Sequence, residues 1–173
     1  MTNTGKVAVL VTDMVEDVEL TSPKKALESA GYTLTLIEKE AGKTITGKKG
    51  ETFVIDAAID DVSPEEFSAL LIPGGFSPDQ LRADQRFVDF TAYYLENDLP
   101  LFAICHGPQL FIQTGLTSGR KMTAYLTVQP DIHYAGAEVE DQAVVIDKKL
   151  VTSRNPDDLP AFNEAIVSVL KDS

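Results

Sequence analysis

The sequence predicts an α/β domain built on a mostly parallel β-sheet with helices on both faces. Three observations predict it. The runs Lys6-Val-Ala-Val-Leu-Val11, Ala69-Leu-Leu-Ile72 and Pro100-Leu-Phe-Ala-Ile104 are apolar without alternation, as in strands buried on both sides. Helix-like segments separate them, and strands alternating with helices make parallel sheets. The first strand, helix and second strand also fit within the roughly 30 residues of a βαβ unit.

In chain order, Lys6 to Val11 is the first strand, broken by Asp13 to Val15. Thr21-Ser22-Pro23 then opens a helix, with Ser22 as cap and Pro23 at the first helical position. Ala26, Leu27 and Ala30 follow at helical spacing, and Gly31 stops the helix. Tyr32 to Ile37 is the second strand, and residues 42–55 read as a hairpin or a loop with an edge strand. Ser63-Pro64-Glu65-Glu66 is a cap and first turn, and Ala69 to Ile72 is a strand ending in Pro73-Gly74-Gly75. Asp84 to Glu96 forms a helix with Phe87, Phe90 and Tyr94 inward. After the strand Pro100 to Ile104 come a helix over Gly107 to Gln113, a strand over Lys121 to Ala124 and a short helix over Val128 to Tyr134. Ala143 to Asp147 and Leu150 to Thr152 face each other across Lys148-Lys149, and Leu159 to Leu170 is a final amphipathic helix. No repeat or linker interrupts the chain, so residues 1–173 read as one domain.

Composition narrows the function. A net charge of −12 argues against nucleic acid or anionic membrane as partner, since both require a basic face. The single Cys excludes an intramolecular disulfide. Met1 to Val11 lacks a basic segment followed by an apolar run, and no stretch approaches the roughly 20 apolar residues of a membrane span. A cytoplasmic protein with a reduced thiol is expected. Two His and one Cys are too few for a usual zinc site, and neither a Walker motif nor a dinucleotide-binding glycine motif is present. No metal or other cofactor is expected.

The segment Ala103-Ile-Cys-His-Gly-Pro-Gln109 is the most informative. Cys105 falls where a buried strand gives way to a helix, between the small residues Ala103 and Gly107, in parallel with the nucleophile elbow of α/β hydrolases. Pro108 suits a first helical turn. A thiolate at a helix N-terminus is stabilised by free N–H groups, which can lower the thiol into roughly the 3.5–7.5 range. Cys105 is therefore expected to be ionised and reactive. His106 either pairs with the thiol or contributes only its backbone N–H, because adjacent side chains rarely face each other. Pro73-Gly74-Gly75 permits close backbone approach, so the N–H groups of Gly75 and His106 could hold a developing oxyanion. Glu16 follows the first strand in an acidic cluster, where it is either solvated or close enough to the thiol to share a proton. His133 reads as a surface residue.

Together Glu16-Asp-Val-Glu-Leu20, Ile45-Thr-Gly-Lys48, Leu71-Ile-Pro-Gly-Gly75, Ala103 to Gln109 and the segment from Val151 to Leu159 resemble the PfpI family. The resemblance covers nearly the whole chain. It implies a flavodoxin-like three-layer sandwich, as in class I glutamine amidotransferases, with Cys105 as the elbow nucleophile, Glu16 beside its sulfur, and Gly75 and His106 as oxyanion donors. In peptidase-like members an acidic residue from a neighbouring subunit completes a Cys-His-acid triad. That position here is Asp79, one methylene shorter than the family's Glu. Tyr125 and Arg154 match positions near the family's site. The implied activity is that of a cysteine-dependent enzyme in stress response. It would act either as an intracellular peptidase or on 2-oxoaldehydes, as glyoxalases and deglycases do. The alternative is a redox-responsive protein whose thiol is oxidised without turnover. A homodimer or larger homo-oligomer, acting on a small-molecule or peptide substrate, is expected.

Overall fold

The computed structural model describes residues 5–173; residues 1–4, part of the stretch read for a leader, lie outside it. The elements of the main sheet are β1 (Lys6–Leu10), β2 (Thr33–Glu38), β5 (Ala57–Ala58), β6 (Ala69–Ile72), β7 (Leu101–Ile104), β10 (Val145–Asp147) and β11 (Leu150–Ser153). Among the described residues they run in the order β10-β11-β7-β6-β1-β2-β5. Neighbours are parallel except for the β10–β11 hairpin at one edge. The chain winds outward from β1 in one direction, then returns to place β6 on its other side. The gap beyond the carboxyl ends of β1 and β6 is thus the topological switch point at which such sheets bind ligands.

Side chains alternate between two cores. Ala8, Leu10, Leu70 and Ile72 pack with Phe87, Phe90 and Tyr94 of α3 (Gln85–Glu96) on one face. Val7, Val9, Leu71 and Phe102 meet Leu20 and Leu27 of α1 (Asp17–Ser29) and Phe162 and Ile166 of α6 (Leu159–Lys171) on the other. Burial on both faces explains why these strands read as continuous apolar runs. The α/β architecture with a mostly parallel, helix-covered sheet is as the sequence predicts.

Several elements differ from the sequence reading. Helix α1 begins at Asp17, not Ser22, and Pro23 lies inside it. Glu19, Leu20, Pro23 and Leu27 are all buried along one face, so packing over an extra turn outweighs the one backbone hydrogen bond that Pro23 cannot make. Residues 42–55 do form a hairpin, as the sequence reading offered, with β3 (Thr44–Thr46) antiparallel to β4 (Thr52–Val54) and separate from the main sheet. The strand expected over Lys121 to Ala124 is only β8 (Lys121–Met122), paired with β9 (Glu138–Val139) outside the main sheet. A short helix, α2 (Ser77–Leu81), forms after the Gly pair. The helix expected over Gly107 to Gln113 shrinks to α4 (Gln109–Ile112). Before it, Gln109, Leu110 and Phe111 donate three residues back, to His106, Gly107 and Pro108, so a tight turn replaces a full helical N-terminus.

Candidate active site

Cys105 ends β7 with a φ of 63°, in the left-handed region that costs a side-chain-bearing residue about 1–3 kcal/mol. Its backbone is held on both sides: its N–H donates to Ser153 at 3.0 Å, and its carbonyl accepts from the Tyr125 N–H at 2.9 Å. The bend lets the following turn press onto the sheet. A Cβ at Gly107 would lie 2.5 Å from the Ile72 carbonyl and 3.1 Å from Ala103 Cβ, which is why small residues flank the cysteine. The elbow expected from sequence is present.

The Gly pair after β6 forms the facing wall. Gly75 has a φ of 76°, and a Cβ there would lie 2.4 Å from the Met14 carbonyl. Gly75 pairs with Val15 in an isolated antiparallel bridge, with the Phe76 N–H donating to Met14 and the Glu16 N–H to Gly74. A Cβ on Gly74 would lie 2.6 Å from Glu19 Oε1 and 2.9 Å from both Cys105 Cβ and the His106 nitrogen. Gly74 thus marks the point where these three groups converge. The backbone N–H groups of Gly75 and His106 act on the Cys105 sulfur to favour its charged form.

The carboxyl beside the sulfur belongs to Glu19, not to Glu16. Glu19 is 0% exposed. Its Oε1 accepts the Gly74 N–H at 3.0 Å, and its carboxyl acts on the Cys105 thiol. Its Oε2 is buried without a hydrogen-bond partner among the described residues. Glu16 instead ion-pairs with Lys48 at 3.2 Å. The reason is the early start of α1. Glu16 is its N-cap residue, whereas Glu19 lies in the first turn, on the same buried face as Pro23 and Leu27, four and eight residues on. The alignment of Glu19, Pro23 and Leu27 was visible in sequence, but only for a helix begun at Asp17.

Burial pushes Glu19 up to about 8, with the nearby Glu16 charge adding to the rise and the Gly74 N–H and Lys48 opposing it. Burial also pushes the Cys105 thiol up. A charged Glu19 pushes it further, while the N–H groups of His106 and Gly75 pull the other way. The low thiol expected from a helix N-terminus is therefore not what the structure supports. The helix that follows has four residues, so its dipole is slight, and Cys105 is only 7% exposed. Two buried acids with opposed demands behave as one coupled unit. A neutral Glu19 carboxyl can donate its proton toward the sulfur, whereas two adjacent anions are disfavoured by repulsion and desolvation alike.

His106 is half-buried. Its Nδ1 lies 3.3 Å from Cys105 Sγ, and its ring stacks on Tyr125 with centroids 4.8 Å apart. Burial and the Lys48 ammonium lower its basicity, while Asp79 and Asp131 act in the opposite sense. His106 thus brings both its ring and its N–H to the sulfur. Asp79 is exposed on α2 and reaches His106 through its field rather than by a hydrogen bond. The Arg154 guanidinium is committed to Asp158 at 3.0 Å and Asp141 at 3.2 Å. His133 is exposed, as read from sequence. Among the described residues no group of three or more His, Cys, Asp or Glu side chains could hold a metal, and no helix is long and apolar enough to cross a membrane.

Lys48 was not singled out as a site residue from sequence. It follows Gly47 in the turn between β3 and β4, and its ammonium acts electrostatically on both Glu19 and His106.

Comparison with known proteins is consistent with this geometry. The family model described as "DJ-1/PfpI family" matches residues 5–169. The chain is 56% identical over 167 residues to protein/nucleic acid deglycase 2 of Escherichia coli strain K12, covering 95% of this chain and 97% of that protein. It is 54% identical over 168 residues to general stress protein 18 of Bacillus subtilis strain 168, covering 96% and 98%. Among solved structures, a two-domain Anabaena variabilis protein with DJ-1/ThiJ/PfpI-like and ferritin-like domains superposes with a TM-score of 0.93 at 35% identity, over 96% of this chain and 50% of that one.

Proposed function

This chain belongs to the DJ-1/PfpI family, and from that premise we propose that it is a cysteine-dependent enzyme acting on small 2-oxoaldehydes and related carbonyl adducts in a stress response. The observation that carries this reading is the buried pair of Cys105 and Glu19, a thiol and a carboxyl sharing the proton inventory of one pocket. Support also comes from the names of the two relatives, one a deglycase and one a stress protein.

In this reading the Cys105 thiol passes its proton to His106 Nδ1, 3.3 Å away, as its sulfur attacks the aldehyde carbon and the S–C bond forms. The carbonyl electrons move onto oxygen, beside the N–H groups of Gly75 and His106. Glu19 gives its proton to that oxygen, forming a hemithioacetal. As a carboxylate it then removes the proton from C1 and returns it at C2, leaving a thioester of the 2-hydroxy acid. Water hydrolyses the thioester and restores the thiol, and the proton held by His106 returns to Glu19. The net change is 2-oxoaldehyde plus water to 2-hydroxy acid. Cys105 at 7% exposure favours a small carbonyl over a peptide strand, and the His106 ring is stacked on Tyr125 rather than hydrogen-bonded to an acid of this chain. The peptidase version requires Asp79 of a second subunit, and a monomer in solution would remove it.

The test is turnover of methylglyoxal alongside a peptide panel. Cys105→Ala is expected to lose at least about a thousandfold, because the covalent step disappears. Undiminished methylglyoxal turnover by that variant would overturn the reading. The redox alternative draws on the same buried pair, since a protonated Glu19 could hydrogen-bond an oxidised sulfur. Mild peroxide followed by intact mass reads it: added oxygen at Cys105 supports that role, and none counts against it.

A further inference from the structure

The loop that carries Lys48 is built, not loosely draped. The buried Asp17 carboxylate accepts the N–H of Lys49 at 3.1 Å and of Glu51 at 3.0 Å. Gly47 packs so tightly on it that a Cβ would fall 1.9 Å from Asp17 Oδ1. The Lys48 N–H donates to Val15 at 2.9 Å, and the Met14 N–H donates to Thr46 at 2.8 Å, so the loop is tied to the segment that leads into Glu16 and Glu19. The side chain is fixed as well. Its Nζ lies 3.2 Å from Glu16 Oε2 and 5.4 Å from the centroid of Phe76, the residue after Gly75. The Lys48 side chain is 34% exposed and the Phe76 residue 56% exposed, so both present surface beside the Gly wall of the site.

We propose that Lys48 is a specificity-determining residue that selects carbonyl substrates bearing a negatively charged group, holding that group beside the Phe76 ring while the carbonyl reaches Cys105. The inference rests on the enzymatic reading above and adds a substrate class to it. Three observations carry it. The ammonium is positioned by an anchored loop. Its one carboxylate contact leaves donors of the –NH₃⁺ group for an anion. Arg154, which follows Ser153 at the end of β11, is by contrast already held by two carboxylates. Glu16 is then a positioning residue: it holds the ammonium without closing it off. The same charge acts on Glu19 and His106, which places it within range of the reacting groups. A charge a few ångströms from a substrate anion, at the effective dielectric of a partly exposed site, discriminates by roughly tenfold.

The test uses two isosteric reagents that alkylate Cys105, anionic iodoacetate and neutral iodoacetamide. In each, the sulfur forms an S–C bond as iodide leaves, so any change in thiol ionisation cancels in the ratio of rates. Lys48→Met is expected to lower the iodoacetate-to-iodoacetamide ratio by about tenfold, and Lys48→Arg to keep it within about twofold of wild type. In turnover, Lys48→Met raises the ratio of KM for 4-carboxyphenylglyoxal to KM for phenylglyoxal by about tenfold, a ratio in which any effect on Glu19 and His106 cancels. An alkylation ratio unmoved by Lys48→Met overturns the inference. A wild-type protein that turns over neither phenylglyoxal would sink the enzymatic reading, while the alkylation ratio would still decide the role of Lys48.

Discussion

Glu19 and Glu38 are both almost wholly buried, at 0% and 2% exposure, and both lie near the carboxyl ends of the central strands, yet their protons behave in opposite ways. Glu19 is driven up to about 8 by burial. Burial would also raise Glu38, but the Lys43 ammonium, the Lys39 N–H and the Thr12 hydroxyl outweigh it and hold Glu38 below the usual carboxylate range. Thr12 Oγ1 donates at 3.1 Å, and the Thr12 N–H itself donates to Ser77 at the start of α2, so the Glu38 cluster stitches the ends of β1 and β2 to that helix. The difference lies in what each carboxylate is given. Glu38 has a cation in contact and two further donors, whereas Glu19 has one N–H, the like charge of Glu16 and a Lys48 ammonium that acts only through its field. A fully served buried carboxylate stabilises the fold. An underserved one keeps its proton near neutral pH, where it is available for chemistry.

The comparison breaks most readily on activity. Glu19→Gln should lower methylglyoxal turnover by about 10²–10⁴-fold without loss of fold, because it removes the proton-transfer group beside the sulfur. Glu38→Gln should leave turnover per folded molecule unchanged. Equal losses in the two variants, read from kcat corrected for folded fraction, would erase the distinction.

Stability should rank them the other way. Lys43→Met leaves the Glu38 charge buried without its cation and should cost about 2 kcal/mol in denaturant unfolding. That is less than for a sealed pair, because the Lys43 side chain is 38% exposed. Glu19→Gln at pH 7 should change stability by less than about 1 kcal/mol, since it replaces a carboxyl that is already mostly neutral.

The pH dependence sharpens the contrast. A raised folded pKa contributes stability below the unfolded value and loses it as pH rises through the folded one. The Glu19 contribution therefore falls between about pH 4.5 and about pH 8. A lowered folded pKa does the reverse, so the Glu38 contribution is complete above about pH 4.5 and is lost as pH falls below it. Thermal melts should show Glu19→Gln flattening the alkaline decline and Glu38→Gln flattening the acid one. The smallest effect is expected for Glu16→Gln, which touches Lys48 rather than the sulfur and should change the Cys105 alkylation rate by less than about threefold.

How much of this was legible in the sequence follows the same division. The doubly buried strands announced themselves as apolar runs, and the elbow was visible in Ala103, Cys105 and Gly107 because the close approach there admits only small neighbours. Glu19 was missed because Ser22-Pro23 looks like a helix start, which left residues 16–19 in a loop, and the family resemblance was then carried onto Glu16. The Glu38 cluster joins Thr12 and Ser77 to Glu38 and Lys43 from three separate parts of the chain, a pattern no local spacing encodes. The thiol was misjudged for a related reason: sequence indicates a following helix, but not that it has four residues or that the sulfur is 7% exposed. Desolvation is a tertiary quantity, and it governs both acids of the site.

The central claim, that Glu19 holds a proton at neutral pH while Glu38 does not, is tested most directly by infrared difference spectroscopy of the carboxyl C=O stretch across a pH titration. A protonated-carboxyl band should persist at about pH 6.5, disappear through about pH 8, survive in Glu38→Gln and be absent from Glu19→Gln. Absence of any such band from the wild-type protein above about pH 6, or its persistence in Glu19→Gln, would contradict the account.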